Sequence, residues 1–528
     1  MLALSMRQDG ATHFNFARDV VEHWAKERPG ALALWCVSEA DSTEQRLTFQ
    51  ELSRQLRRSA SFFDQAGLRR GDRVLIIAPR VPQWWIAMLG LIRLGVVPIP
   101  GTTLLTSRDI GYRIEASGAS ALLTDAEGAA KADGIELPHR ILIGGERPGW
   151  TSFEAGLREC DPSFDPEPTK SDDPGIIYFT SGTTGPPKMV LHTQASYGLG
   201  HRITGELWLD LKPQDVHWCI TDTGWAKAAW SCLFGPWQMG ACVFALDTRG
   251  KFEATTALRT LAQYPISTWC APPTALRLMV KEDLAAYRFS HLRHCVSAGE
   301  PLNPEVLAEW KAATGLTIYD GYGQTETVVL VANFRCRGEE VRPGSMGKPS
   351  PGFTVALLDD ELNELPPGRE GEVAVRVKPE RPLGLFREYW RNPKENALRF
   401  QGDWYLTGDR AMRDEDGYFW FVGRGDDVIK SSSYRIGPFE VESALIEHPA
   451  VVEAAVVGKA DSARGQIVKA FVVLGRDWSA SDELKHELQE HCKRVTAPYK
   501  YPREIEFLSE LPKTISGKIR RVELRKRA

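Results

Sequence analysis

The 528-residue chain has no excess of basic charge, no long uninterrupted apolar run and no paired cysteine motif. Each absence removes a class of function. Lysine and arginine total 65 against 69 aspartate and glutamate, a formal charge of −4. No field of one sign is available to draw in nucleic acid or an anionic membrane surface. The nine cysteines are scattered, with no CxxC pair and no zinc-site spacing to histidine, and they read as buried, reduced thiols. The start, MLALSMRQDGATHF, has too short an apolar segment for a secretory signal. The most apolar stretch, Val74 to Pro100, is broken by Arg80, Arg93 and prolines at 82, 98 and 100. It is expected to form a buried strand, a turn and a core helix rather than a membrane span. No Ser-His-Asp or Cys-His arrangement offers a protein nucleophile. What remains is small-molecule chemistry on a globular chain that is 43% hydrophobic and 25% charged.

The length calls for more than one domain. In the first part, strand-like runs alternate with helical patterns: RVLIIAP (73–79), a helix from Trp84 to Leu94, then SALLTD (120–125). That alternation predicts βαβ units and largely parallel sheets. DPSFDPEPTKSDDPG (161–175) is an exposed connector, and the strand IIYFT (176–180) follows it. ACVFAL (241–246) and TVALLDD (354–360) continue the strand pattern. The last hundred residues read as a small α/β unit, with strands at 451–458 and 467–475. Leu484, Leu488 and Val495 are expected to share one helix face. Asp416-Gly417 and Gly423-Arg424-Gly425 are expected to mark the boundary. The predicted fold is α/β: a large N-terminal domain of parallel and mixed sheets flanked by helices (1–425), and a small mobile α/β C-terminal domain (426–528).

YFTSGTTGPPK (178–188) follows a strand directly. Thr180, Ser181, Thr183 and Thr184 bring hydroxyl donors, Gly182 and Gly185 let backbone N–H groups approach an anion, and Lys188 adds positive charge. Such a loop can cradle phosphates. It is not a Walker A loop, because two prolines separate Gly185 from Lys188 and methionine follows the lysine.

This string resembles the phosphate loop of the adenylate-forming superfamily, which holds acyl-CoA synthetases, luciferases and peptide-synthetase adenylation domains. Further motifs stand in the family's order along most of the chain: SAGEPL (297–302), DGYGQTET (320–327), WYLTGD (404–409), FVGRGDD (421–427) and PKTISGKIRR (512–521). SSSYRIGPFEVESALIEHPAVVEAAVVG and TAPYKYPREIEF look closest to the medium-chain acyl-CoA synthetase branch. The resemblance implies ATP, Mg²⁺ and coenzyme A as cofactor and substrates. Gly299, Glu300 and Pro301, with Asp320, Gly321, Tyr322, Gly323 and Gln324, would frame adenine. Thr325 would bond the α-phosphate, and Glu326 is a hard oxygen ligand suited to Mg²⁺. Asp409 would accept both ribose hydroxyl protons with Arg424 beside it. Arg435 would lie near the phosphates or the acyl-adenylate, and Lys518 would close over the site. The acyl pocket is expected at Trp225, Gly321 and Gly323.

The implied reaction has two halves. The acyl carboxylate attacks the α-phosphorus of ATP and pyrophosphate leaves; the thiol of coenzyme A then attacks the mixed anhydride and AMP departs. Between them the C-terminal domain is expected to rotate about Asp426, exchanging Lys518 for Ser432, Ser433, Tyr434 and Arg464 as coenzyme A contacts. Two positions depart from the family. Ser433 replaces the usual glycine and is expected to narrow the pantetheine path. Gly323 stands where acetate-specific relatives carry tryptophan and is expected to leave room beyond the carboxylate.

Other readings share parts of this pattern: a stand-alone adenylation enzyme that loads a carrier protein, a luciferase-like oxygenase, or a catalytically silent nucleotide-binding regulator. The last would normally lose Lys518, Asp409 or Glu326, and all three are present. The expected state is a monomer or homodimer in the cytoplasm, or in the mitochondrial matrix of a eukaryote, with no membrane insertion and no nucleic-acid partner.

Overall fold

Polar caps and glycine stops set the helix ends around the first sheet. Thr48 and Glu51 form a capping box at the start of the helix Phe49–Gln65, and Thr106 with Asp109 does the same for Ser107–Ser117. The apolar stretch read from the sequence is the strand Arg73–Ile77, the helix Pro82–Leu94 and the strand Val97–Gly101. Gly95, at φ 80°, ends that helix in the left-handed region. Buried Arg93 is neutralised by Glu22 at 3.2 Å and by Asp165 of the irregular connector. The computed structural model describes residues 12–180, 187–248, 250, 252–431, 434–461, 464–513 and 518–528.

Among the described residues four sheets form. A parallel one runs Val97–Gly101, Arg73–Ile77, Ala121–Thr124, His139–Leu142, Thr151–Ser152. The largest has a parallel core, Leu32–Ser38, Cys242–Asp247, Val216–Cys219, Thr268–Ala271, His294–Ala298 and Ile318–Gly323. From Ile318–Gly323 onward it continues antiparallel through Val329–Ala332, Ser345–Pro349, Phe419–Arg424, Trp404–Arg413, Glu370–Arg376 and Val355–Leu358. A small antiparallel sheet joins Pro174–Thr180, Lys188–Thr193 and Glu388–Tyr389. The expected α/β architecture is present, and the long strands from the sequence reading recur as elements.

The C-terminal sheet is separate and is built on the hairpin Val451–Asp461 and Gly465–Leu474, with Ile429–Ser431, Tyr434–Ile436 and Glu504–Phe507 added. It carries its own apolar core, including Ile436, Leu445, Val456, Val472, Leu484 and Leu488. Two details differ from the sequence reading. Asp416-Gly417 is no boundary but the turn between Trp404–Arg413 and Phe419–Arg424, with Gly417 at φ 86°. Val495 is exposed at the last position of the helix Asp482–Val495, and Cys492, one turn earlier, fills the core beside Leu488.

Eight of the nine cysteines are buried and all are free, Cys336 being the exposed one. No described helix is long and apolar enough to cross a membrane. The packing assigns a different weight to two residues of one helix. Leu488→Ala should destabilise the protein by about 2–5 kcal/mol, while Val495→Ala should change it by less than about 0.5 kcal/mol. Urea unfolding of the two variants, followed at the C-terminal unit, measures both.

Candidate functional site

The site lies where the parallel part of the largest sheet ends, the edge at which open α/β sheets bind ligands. His294–Ala298 and Ile318–Gly323 are parallel neighbours, with Ala298 opposite Gly321. Their C-terminal ends therefore present the Gly299–Pro301 turn and the Asp320–Gln324 segment side by side. Gly299 adopts φ +105°, and a Cβ there would lie 3.2 Å from the ammonium of Lys227. That ammonium also bonds the Ala298 carbonyl. Glu300 is held from outside by Thr274 at 2.7 Å and Arg277 at 3.3 Å. Asp320 is buried and takes the Gly321 N–H at 2.9 Å. Burial pushes its carboxyl up to about 7, against the N–H bond and the nearby charge of Lys227.

Asp409 and Arg424 are register partners on adjacent antiparallel strands, and Arg424 Nε lies 3.4 Å from Asp409 Oδ1. Asp409 is buried; its Oδ2 accepts from Tyr322 Oη and from Gln324 Nε2, both at 2.6 Å. Tyr405 Oη fixes the other end of Gln324 at 2.9 Å. The motif around Asp320–Gln324 and the motif around Asp409 are thus one hydrogen-bonded unit.

Thr325 is positioned through its carbonyl, which accepts from His192 Nε2 at 2.8 Å and from Tyr197 Oη at 2.6 Å. The two rings stack with centroids 3.4 Å apart. Burial drives the imidazole of His192 down to about 3 despite the Thr325 bond, so the ring is neutral and its Nε2 proton points at that carbonyl. Glu326 is buried and accepts from Tyr389 Oη at 2.8 Å. Desolvation raises its carboxyl above the usual range, opposed by the Tyr389 bond and the charges of Arg424 and Lys188. A buried carboxylate with that penalty fits one cation whose remaining ligands come from water and phosphate oxygens, the habit of Mg²⁺. No cluster of three or more metal-type side chains is present among the described residues.

Thr180 and Lys188 face each other across the two strands that flank the phosphate loop. Ser181, Gly182, Thr183, Thr184 and Gly185 lie outside the described residues, as do Ser432 and Ser433. Arg435 is placed by its backbone alone, opposite Lys430. Lys518 comes from the C-terminal unit into the field of Glu300, Lys227, Arg424 and Asp409. The residue is exposed yet has protein crowded around it, and that desolvation lowers its pKa ahead of the opposing pull of Glu300. Tyr434, exposed, stacks on Tyr499 at 4.1 Å. Tyr434 pairs with Ser431, and Ser431 pairs with Gly465, so Tyr434 and the residue after Arg464 both flank Ser431. Asp426 accepts Arg525 through its carbonyl at 3.1 Å.

The room expected beside Gly323 is filled. A Cβ there would overlap the ring of Trp230 and lie 2.5 Å from the Val328 carbonyl oxygen. At Gly321 a Cβ would meet the Trp208 ring at 2.6 Å. Trp225 is half-buried at the cap of the short helix Ala226–Ala229. Sequence reasoning missed His192, Tyr197, Lys227, Trp230 and Tyr389. The string HTQASY directly after the phosphate-loop strand, and TDTGWAKAAW with its lysine, were the signals available.

Two measurements follow from this geometry. Gly323→Ala should cost about 1–3 kcal/mol by overpacking, seen as a lower urea midpoint, because the crowding includes a backbone carbonyl that cannot turn aside. Asp320 supplies a pH signature. Its native carboxyl holds a proton that the unfolded chain, with its ordinary carboxyl near 3.8, releases. Stability is therefore favoured below that lower value and lost as pH rises toward about 7. Asp320→Asn should lack this loss, so the difference in urea midpoint between variant and wild type should move in the variant's favour from pH 5 to pH 8.

Comparison with known proteins places this arrangement. The AMP-binding enzyme family matches residues 21–390, and the AMP-binding enzyme C-terminal domain matches 440–518. Acyl-coenzyme A synthetase ACSM3, mitochondrial, of Mus musculus is 50% identical over 541 residues, covering 99% of this chain and 93% of the relative. Acyl-coenzyme A synthetase ACSM5, mitochondrial, of Homo sapiens is 50% identical, covering 98% and 91%. The crystal structure of the anthranilate CoA ligase AuaEII with anthranoyl-AMP superposes with a TM-score of 0.90 at 31% identity, over 98% of this chain and 97% of that one. A benzoate CoA ligase from Burkholderia xenovorans LB400 gives 0.84 at 29% identity, over 97% and 100%. With both of its parts matched and its whole length aligned, the chain belongs to the AMP-binding, adenylate-forming enzyme superfamily, in the medium-chain acyl-CoA synthetase branch.

Proposed function

We propose that the protein is an ATP-dependent acyl-CoA synthetase that converts a medium-chain fatty or related acid to its acyl-adenylate and then to its thioester. The observation that carries the reading is the Asp409–Arg424 pair, hydrogen-bonded through Tyr322 and Gln324 to the end of the parallel sheet, with Lys518 of the C-terminal unit within electrostatic range of it. In the first half-reaction one carboxylate oxygen bonds to the α-phosphorus as the bond to pyrophosphate breaks. The protein's part is to hold the two in line and to face the growing negative charge with fixed donors. Asp409 anchors the ribose, held rigid by Tyr322 and Gln324. Thr325 offers its hydroxyl to the α-phosphate from a backbone pinned by His192 and Tyr197. Lys188 and Lys518 supply positive charge. Glu326 would hold Mg²⁺, which when bound neutralises phosphate charge.

In the second half-reaction sulfur bonds to the acyl carbon, the thiol proton is lost, and AMP leaves. The proposed division at 425/426, with Asp426 as hinge, lets the C-terminal unit withdraw Lys518 and bring Ser432, Ser433, Tyr434, Arg435 and Arg464 to the site. Coenzyme A rather than a carrier protein is supported by relatives named acyl-coenzyme A synthetases along 99% of the chain. A silent regulator is disfavoured by the retention of Lys518, Asp409 and Glu326, with Lys518 in the field of the Asp409–Arg424 pair. The mitochondrial names of the animal relatives favour the matrix over the cytoplasm for a eukaryotic host.

Lys518 should serve only the first half-reaction. Removing one preorganised contact of this kind costs on the order of 10²–10³ in rate, so Lys518→Ala should cripple pyrophosphate release from ATP and octanoate. Given ready-made octanoyl-adenylate, it should still make octanoyl-CoA at near the wild-type rate. Lys513, paired with Glu453 at 2.6 Å, is the control and its alanine variant should be far milder. Equal loss in both half-reactions by a folded Lys518→Ala protein would reject this division of labour.

A further inference from the structure

The segment NPKENALRF (392–400) takes no part in the motifs described above, yet it contacts Lys188, the last residue of the phosphate motif. It forms the short helix Pro393–Arg399, started by Asn392, whose side chain accepts the Glu395 N–H at 3.1 Å. Asn396 ties the helix to the neighbouring strand through both backbone groups of Tyr389, at 2.7 and 3.0 Å. The helix is therefore fixed to the same small sheet that carries Lys188.

From that base Glu395 reaches Lys188. Its Oε1 accepts from the Lys188 ammonium and from Arg399 Nε, the latter at 3.0 Å. The three side chains are 14–25% exposed, so water screens them incompletely. Burial alone would raise the Glu395 carboxyl, but Lys188 and Arg399 outweigh it and hold the group below its usual range. Arg399 continues the line. Its guanidinium covers Gly408, where a Cβ would lie 2.5 Å from Nη1. Nη1 is also 4.0 Å from Glu372, which accepts the Gly408 N–H at 2.9 Å. Gly408 is the residue before Asp409. Charges of alternating sign thus run from Lys188 to the strand residue just before the ribose carboxylate.

We propose that Glu395 is a positioning residue for adenylation: it aims the ammonium of Lys188 at the ATP phosphates and couples that aim, through Arg399, to the strand that carries Asp409. Lysine is a flexible point charge with three donors. One is spent on Glu395, and two remain for phosphate oxygens. Without the carboxylate, Lys188 and Arg399 become adjacent like charges and repel. The inference rests on the reading of Lys188 as a phosphate contact, and the test separates the two.

The experiment uses the full-length protein with octanoate as probe acid and both half-reactions measured. Glu395→Gln should raise KM for ATP and slow pyrophosphate release, together by about tenfold or more, as expected for loss of a fixed charge contact. Transfer from octanoyl-adenylate to coenzyme A should stay within about twofold, because pyrophosphate has already gone. Glu395→Asp should recover part of the loss. Lys188→Met should slow pyrophosphate release, and the double variant Lys188→Met/Glu395→Gln should be no worse than Lys188→Met alone. A parallel loss in both half-reactions, an unchanged KM for ATP in Glu395→Gln, or multiplying losses in the double variant would each overturn the proposal. An active Lys188→Met would overturn the phosphate reading of Lys188 itself, and this inference with it.

Discussion

The carboxylate of Asp409 is the fixed point of this molecule. It is buried on a strand of the antiparallel half of the largest sheet and reaches the end of Ile318–Gly323, the last parallel strand, through Tyr322. Two neutral donors and one guanidinium hold it there. An unpaired buried charge would be strongly destabilising, so the strands bearing Tyr322, Gln324 and Arg424 must close around it in one register. The same requirement brings sequence-distant segments together: Gln324 and Asp409 are 85 residues apart in the chain and bond directly.

Around this point the structure makes repeated use of backbone carbonyls as anchors for polar side chains. Thr325 is held by its carbonyl, leaving its hydroxyl available, and Ala298 is held by Lys227. Asp426 is held by Arg525 of the C-terminal helix. Arg525 also pairs with Asp427, and Arg521 reaches Asp427 at 3.8 Å and Glu442 at 2.7 Å. The segment just after Lys518 is therefore bound to the segment just after Arg424. Position is set by rigid backbone, and reactive groups are free to face the cleft.

Much of this was legible in the residues, for reasons that differ by element. Strands such as Arg73–Ile77 and Gly465–Leu474 announce themselves because burial on both faces demands continuous apolar sequence. The nucleotide motifs are legible because glycines and hydroxyls at set spacing have few other uses. Val495 misled because periodicity says which residues could share a face but not where the helix ends. Asp416-Gly417 misled because a hairpin turn and a domain boundary call for the same residues. His192, Tyr197 and Tyr389 were illegible as site residues, since each acts on a partner 63 to 133 positions away. Glu395 was hidden for the same reason: its partner Lys188 lies 207 positions away.

The contact between Gly323 and Trp230 also constrains how such a chain could change by descent. The indole already occupies the volume that a side chain at 323 would need, and the Val328 carbonyl closes the remaining direction. A smaller residue at 230 would free the volume of the indole but leave the carbonyl, so a bulky residue at 323 also requires the Val328 backbone to move. Exchange between this arrangement and one with tryptophan at 323 therefore needs two changes, a smaller residue at 230 and a displaced Val328 carbonyl. A side chain gained at 323 before either change meets both obstacles at once and bears the full overpacking cost.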